Sequence, residues 1–353
     1  MTTTLTQARR DLAGALGGYQ LIRSGVQYGM PTSTTYLGIA TGADARRLIV
    51  SSDLADLDSA GTGSDTDAAW YNGGFAYLLN TVPEQRRVSN QSYDPNQAAD
   101  TVVDQTTTGY YVGVASMARP LATAVTAGTP IELHTMLPPL DWDKGEGLHK
   151  CINRALMAMP MEFSVSVTGA GTKLVSLGST IPWLYRQDQF IGCYDKAADS
   201  DTLGIPHRGI DLERPFEFSG NTVQLVSDYA FTSGDVFTLK LWRPVGTWIA
   251  VSNVWADSTV GLVNETDQCF ADPKIVELCA TYYAYKTLSR VHRGVGQGAY
   301  YEKLMSEAAT LAAPYLRFDN DLNPEERDTG IGLGTGYGVV EYPGASWNWN
   351  TWP

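Results

Sequence analysis

The chain has 353 residues, enough for two or three domains with buried cores. A hydrophobic fraction of 43% against 18% charged excludes a disordered chain. Lys+Arg 25 against Asp+Glu 38 gives a net charge of -13, which argues against a general nucleic-acid binder, because phosphate affinity needs clustered Lys and Arg.

No apolar run approaches the roughly 18 residues that span a bilayer, so no membrane partner is expected. The opening Met1-Thr-Thr-Thr-Leu-Thr-Gln-Ala-Arg-Arg has no apolar stretch of a secretory signal. Cys151, Cys193, Cys269 and Cys279 form no CxxC pair and read as small buried hydrophobes. His134, His149, His207 and His292 are scattered and no HExxH occurs, so neither a metal nor another cofactor is expected.

In chain order, residues 4–16 read as a short helix. Thr4 and Gln7 fit a capping box, Leu5, Ala8, Leu12 and Leu16 form one stripe, and Gly17-Gly18 ends it. Residues 20–140 read as a first β module, with strands at 47–51, 74–79, 109–115 and 130–135. A helix is predicted at about 145–159, carried by Leu148, Ile152, Ala155, Leu156 and Met159 and stopped by Pro160. A second β module follows over 161–252, with alternation at 161–167, 222–226 and 235–242.

Asp272-Pro273 opens a long helix over 273–292 with a stripe of Ile275, Leu278, Cys279, Tyr282, Tyr285 and Leu288. A third long helix over 299–313 places Tyr301, Leu304, Ala308, Leu311 and Ala312 inward, and Pro314 closes it. The pair reads as a helical hairpin over 270–318, and residues 319–353 as an extended arm. The fold class is therefore α+β: a helical core of residues 1–19, 141–160 and 270–318, with two inserted antiparallel, sandwich-like β modules. Residues 128–138 overlay residues 234–244, each a Gly turn leading into an alternating strand that ends at Pro, as in an internal duplication.

No motif compels an enzyme. Asp53, Asp56, Asp58, Asp65 and Asp67 lack calcium-loop spacing and read as a solvated loop. Gly330 to Gly338 alternates glycine without the Lys-Ser/Thr of a phosphate loop. Asp141, Asp143 and Asp188 are nominal glycosidase acids, but sequence does not set their separation. Serines lie near histidines without a GxSxG. Trp183, Trp242, Trp248 and Trp255 fall in β pattern and read as core or half-core. Trp347, Trp349 and Trp352, with Tyr337 and Tyr342 before them, sit in the arm. Aromatics so placed read as anchors at a partner interface, or as folding back on their own subunit.

The wording of residues 273–290 and 301–309, with Thr4-Leu-Thr-Gln-Ala-Arg-Arg-Asp-Leu-Ala, resembles tailed-bacteriophage head-to-tail connector (adaptor) proteins. That resemblance covers the N-terminal helix, the helix near 145–159 and residues 273–353. It implies a structural virion protein, made in the host cytoplasm and residing in the neck. It further implies a dodecameric ring below the portal protein, contacts with further neck or tail proteins, and a C-terminal arm docked on the portal through Tyr337, Tyr342, Trp347, Trp349 and Trp352. Double-stranded DNA would pass through the lumen without sequence-specific binding, and an acidic wall would repel it. The departure is size, since the small family members are nearly all helix. A carbohydrate-binding, β-rich tail or capsid-surface protein is the competing expectation, on the Trp, Tyr and Thr content.

Overall fold

The computed structural model describes residues 1–22, 27–28, 48–51, 56–57, 63–64, 74–79, 83–88, 102–105, 110–116, 130–177, 181, 183–195, 206–219, 222–319 and 321–322. The first part of the chain carries β1 (Thr3–Thr4), α1 (Leu5–Leu16), β2 (Tyr19–Ile22), β3 (Gln27–Tyr28), β4 (Leu48–Ser51), β5 (Asp56–Leu57) and β6 (Gly63–Ser64). Then come β7 (Phe75–Leu78), β8 (Glu84–Arg87), β9 (Val102–Gln105), β10 (Tyr110–Ser116), β11 (Ile131–His134) and α2 (Leu148–Ala158). The next strands are β12 (Pro160–Thr168), β13 (Leu174–Ser176), β14 (Phe190–Asp195), β15 (Phe216–Ser219), β16 (Thr222–Val226) and β17 (Val236–Pro244). The last elements are β18 (Trp248–Val251), β19 (Val254–Asp257), β20 (Gln268–Cys269), α3 (Pro273–His292) and α4 (Gly298–Ala312). The fold is α+β, and every strand pairing among the described residues is antiparallel.

The chain divides into two compact units that are interleaved in sequence. One unit comprises residues 1–5, 153–282 and 306–353. It holds three sheets, ordered β12-β17-β14, β13-β16-β15 and β1-β20-β18-β19. The first two share one core, built from Val175, Cys193, Phe216, Leu225, Phe237, Leu239 and Leu241. Alternation in β17 explains this: Phe237, Leu239 and Leu241 are buried, while Val236, Thr238 and Lys240 are half-buried. The third sheet pairs Thr3 with Cys269, so the chain start is tied in by a strand far along the sequence.

The other unit comprises residues 6–152 and 283–305. Its larger sheets are ordered β3-β4-β10-β9 and β2-β11-β7-β8. Both faces of β7 and β11 are buried. In the overlaid segments, β11 lies between β2 and β7, and β17 between β12 and β14, so each is an interior strand.

Helix boundaries follow local chemistry. After α1, Gly17 takes φ +80 and its N–H donates to Gly14 O at 3.1 Å, a left-handed stop. Before α2, Gly147 donates to Asp141 Oδ1 at 2.7 Å, and a Cβ on Gly147 would lie 2.4 Å from the Leu140 carbonyl carbon. At α3, Asp272 Oδ1 accepts the Lys274 N–H at 2.8 Å with Pro273 in the first turn.

Two helical faces differ from the expected stripes. In α3, Ile275, Leu278 and Tyr285 are only half-buried, whereas Val276, Ala280, Tyr283, Ala284 and Thr287 are buried. Cys279, Tyr282 and Leu288 of the expected stripe are buried, so the packed face is the expected one rotated towards Val276, Ala280, Tyr283, Ala284 and Thr287. In α4, Tyr301, Ala308 and Ala312 are buried as expected, but Leu304 is half-exposed and Leu311 is 61% exposed.

Candidate functional site

The arm residues Tyr337, Tyr342, Trp347, Trp349 and Trp352 lie outside the described residues. So does most of the acidic run, of which Asp56 falls in β5. Three polar constellations stand out elsewhere.

The first anchors the β18–β19 hairpin in the unit of residues 153–282. Arg243 follows Phe237, Leu239 and Leu241 on the inward side of β17 and is fully buried. Its guanidinium carbon lies 4.8 Å from the ring centres of Phe163 and Trp183 and 4.7 Å from Trp248. Nε donates to Thr247 Oγ1 at 2.8 Å, and Nη2 donates to the Thr247 carbonyl and to Asp257 Oδ1. Burial pulls the guanidinium pKa down, opposed by its bond to Asp257. One cation thus ties β17, the turn after it and the end of β19 together.

On that base the hairpin turns through Ser252 and Asn253, both at positive φ (50 and 66). Trp248 and Trp255 are near-parallel at 6.2 Å, and Phe270 meets Trp255 edge-on at 6.3 Å. Val254 is 68% exposed and Phe270 52%. Among the described residues β19 is the outermost strand of its sheet. Among the described residues the hairpin thus presents an outermost strand beside exposed apolar side chains, on a fixed base.

The second constellation is a Ser-His-Asp set that the sequence reading did not assemble. Ser227 Oγ lies 3.3 Å from His207 Nε2, and His207 Nδ1 lies 3.5 Å from Asp195 Oδ1. The burial is reversed from that of a nucleophilic triad: Ser227 is 3% exposed, while the Asp195 side chain is 54% exposed. Ser227 Oγ also accepts the Tyr229 N–H at 3.1 Å and donates to Arg208 O at 3.2 Å. His207 stacks on Phe231 at 4.2 Å and meets Phe237 edge-on. The hydroxyl holds a turn, and the imidazole packs as a core ring.

The third constellation lies in the other unit. Glu132 is fully buried and accepts from Arg9 Nε (2.7 Å), Arg9 Nη2 (2.9 Å) and Arg10 Nε (2.7 Å). His134 Nε2 is 3.3 Å away. Arg9 Nη1 also donates to His149 Nε2 at 3.0 Å, and its guanidinium sits 4.7 Å from the Tyr77 ring centre. Burial alone would raise the Glu132 pKa, but the bonds from His134, Arg9 and Arg10 outweigh it and hold the carboxyl well below the usual range. Burial pushes His134 down, keeping it neutral. The group closes on itself and is structural.

The nominal glycosidase acids are engaged separately. Asp188 takes a two-point contact from Arg186 at 2.9 and 2.7 Å, and Asp141 caps Gly147. All four cysteines are buried and none is in a disulfide, and burial raises the thiols of Cys193, Cys269 and Cys279 to about 12. Among the described residues no cluster of three or more His, Cys, Asp or Glu could hold a metal, and no helix is long and apolar enough to cross a membrane. No protein-family model, curated protein or solved structure matches the chain.

Proposed function

We propose that the chain is a structural virion protein, a head-to-tail adaptor that forms a ring below the portal and joins capsid to tail around a channel for the genome. One observation carries the reading. The stretches whose wording resembles the connector family fall on α1, α3 and α4, the layout adds α2, and antiparallel β structure lies between α1 and α2 and between α2 and α3. A ring subunit needs large lateral contacts, which cyclic symmetry supplies by repeating one heterologous interface. Tyr300, Leu311 and Tyr315, exposed on α4 and just after it, are side chains such contacts would cover. The reading assigns no catalysis and no cofactor.

The test is direct. Purified protein, alone and mixed with isolated portal, is examined by native mass spectrometry and negative-stain imaging. A ring stacked on the portal is expected; a monomer with no portal affinity overturns the reading. Truncation after Phe318 should leave a folded subunit that no longer joins the portal. Trp347→Ala, Trp349→Ala and Trp352→Ala should each weaken docking by roughly 1–3 kcal/mol while leaving the melting temperature unchanged. Lost subunit stability instead would mean that the tryptophans fold back on their own chain.

A further inference from the structure

The sheet β12-β17-β14 has two unlike faces. Its inward residues, among them Phe163, Leu239 and Cys193, pack with the sheet β13-β16-β15 into one core. Alternation sends their neighbours to the opposite face. There Ser166 pairs with Thr238, which pairs with Tyr194 on its other side; Ser164 pairs with Lys240, which pairs with Gly192; and Glu162 pairs with Trp242. Glu162, Ser164 and Ser166 are exposed, and Tyr194, Thr238 and Lys240 are half-buried, so this face meets solvent.

One aromatic ring is laid against it. The register of β14 on β17 shifts between Phe190 and Gly192, as at a β-bulge, where strands re-aim side chains. Tyr194 leans back along β14 over Gly192, and a Cβ on Gly192 would lie 2.8 Å from Tyr194 Cε2 and Oη. Glycine at that position therefore lets the ring come down close to the backbone. Lys240 Nζ sits 6.0 Å from the ring centre and donates to Glu162 Oε1 at 2.8 Å. Ring, ammonium and carboxylate thus run across the three strands, with the hydroxyls of Ser164, Ser166 and Thr238 on the same face. The second ring of the face, Trp242, is occupied by Arg317, whose guanidinium carbon lies 5.3 Å from the ring centre.

These groups match one class of ligand. A protein interface has an apolar centre, and the two middle rows of this face carry no Val, Leu or Ile. Nucleic acid needs clustered cations, and the lysine of these rows is already bonded to a carboxylate. A pyranose with equatorial hydroxyls is different. It offers a flat C–H face that stacks on an aromatic ring and a rim of hydroxyls that both donate and accept. Glu162 only accepts and Lys240 only donates, so two adjacent hydroxyls can bridge the pair.

We infer that this face binds a neutral oligosaccharide of equatorially substituted pyranoses, with one sugar stacked on Tyr194 and its hydroxyls bridging Lys240 and Glu162. The cation and the anion of the site balance each other, so a neutral chain fits better than a charged one. Ser164, Ser166 and Thr238 supply hydroxyls to the sugar that follows. All of these residues belong to one unit. The site needs neither portal nor ring, so it stands or falls apart from the adaptor reading.

The probe is cellohexaose, a neutral β-linked glucose oligomer, added at millimolar concentration to the full-length protein. Saturation-transfer NMR should show transfer to its ring C–H protons, and calorimetric titration gives the affinity. Tyr194→Ala should weaken binding at least about tenfold at an unchanged melting temperature, while Tyr194→Phe keeps the ring and binds as wild type. Lys240→Met should weaken it roughly three- to tenfold. Gly192→Ala keeps every polar group but displaces the ring, and should weaken binding as well. Tyr229→Ala, at a tyrosine 63% exposed elsewhere in the same unit, should change nothing. No transfer to the sugar in wild type overturns the inference. So does binding undiminished in Tyr194→Ala or Gly192→Ala, or a loss of equal size in Tyr229→Ala. Portal binding enters none of these readouts.

Discussion

Among the described residues each unit buries one arginine completely, and the two do so by different means. Arg9 faces a buried carboxylate, Glu132, which is shared with Arg10 and bonded to His134. Arg243 faces three aromatic rings and two oxygens of Thr247, and its carboxylate partner, Asp257, is half-exposed. The first arrangement stores its stability in one counter-charge that water cannot replace. The second spreads the same task over ring faces, a hydroxyl, a carbonyl and a partly hydrated acid. The Glu132 network is therefore brittle towards single changes, and the Arg243 cage is tolerant of losing its acid.

The largest expected effect comes from deleting the shared carboxylate. Glu132→Ala leaves Arg9 buried without its counter-charge and should destabilise by about 3–5 kcal/mol, measured by denaturant unfolding. A loss below about 1 kcal/mol would mean that water enters the cluster, and the contrast between the units would fall. Acid should have a related effect. The Glu132 carboxyl is depressed in the folded state, so its contribution is present above the ordinary carboxylate pKa and is lost as pH falls towards the folded value. His134 is also depressed, so the unfolded chain binds the extra proton and stability begins to fall below the ordinary histidine pKa of 6.5. Both slopes have the same sign: stability should decline from neutral pH downward in two windows. His134→Gln should flatten the upper window and leave the lower one. An unchanged upper window in that variant would remove His134 from the account.

A smaller effect is expected at the aromatic cage. Arg243→Lys keeps the charge but loses the planar fork and the ring stacking. It should destabilise by about 2–4 kcal/mol and loosen the hairpin, read as faster exchange of the Ile249 and Ala256 amides. If stability fell while those amides stayed protected, the cage would support β17 alone and not the hairpin.

These two sites also mark the limit of what the sequence made legible. Strong periodicity and local punctuation placed the helix at Pro273–His292 and the strand at Thr222–Val226 at their observed bounds. Arg9 was written in the pattern but passed over: it lies four residues after Leu5 and three before Leu12, on the buried stripe of α1. Arg243 continues the inward parity of Phe237, Leu239 and Leu241. Charge reads as exposure, so both fell outside the expected core. Glu132 carried no such mark, because β11 is buried on both faces and alternation then says nothing of which residue is inside. The pairing of Thr3 with Cys269 and the gathering of Asp195, His207 and Ser227 depend on contacts far apart in sequence, which no local window contains.

The smallest expected effect is the one that best separates the two arginines. Asp257→Asn removes a charge but keeps an oxygen that can accept from Arg243 Nη2. The wild-type carboxylate is half in water, where screening leaves an ion pair only about 0.2–1 kcal/mol. Arg243 keeps both Thr247 oxygens and the faces of Phe163, Trp183 and Trp248. The variant should therefore lose no more than about 1 kcal/mol, and the difference should shrink further as salt is raised. A loss as large as that of Glu132→Ala, insensitive to salt, would mean that Asp257 acts as a buried counter-ion. The cage would then be a second case of the Glu132 network rather than an alternative to it.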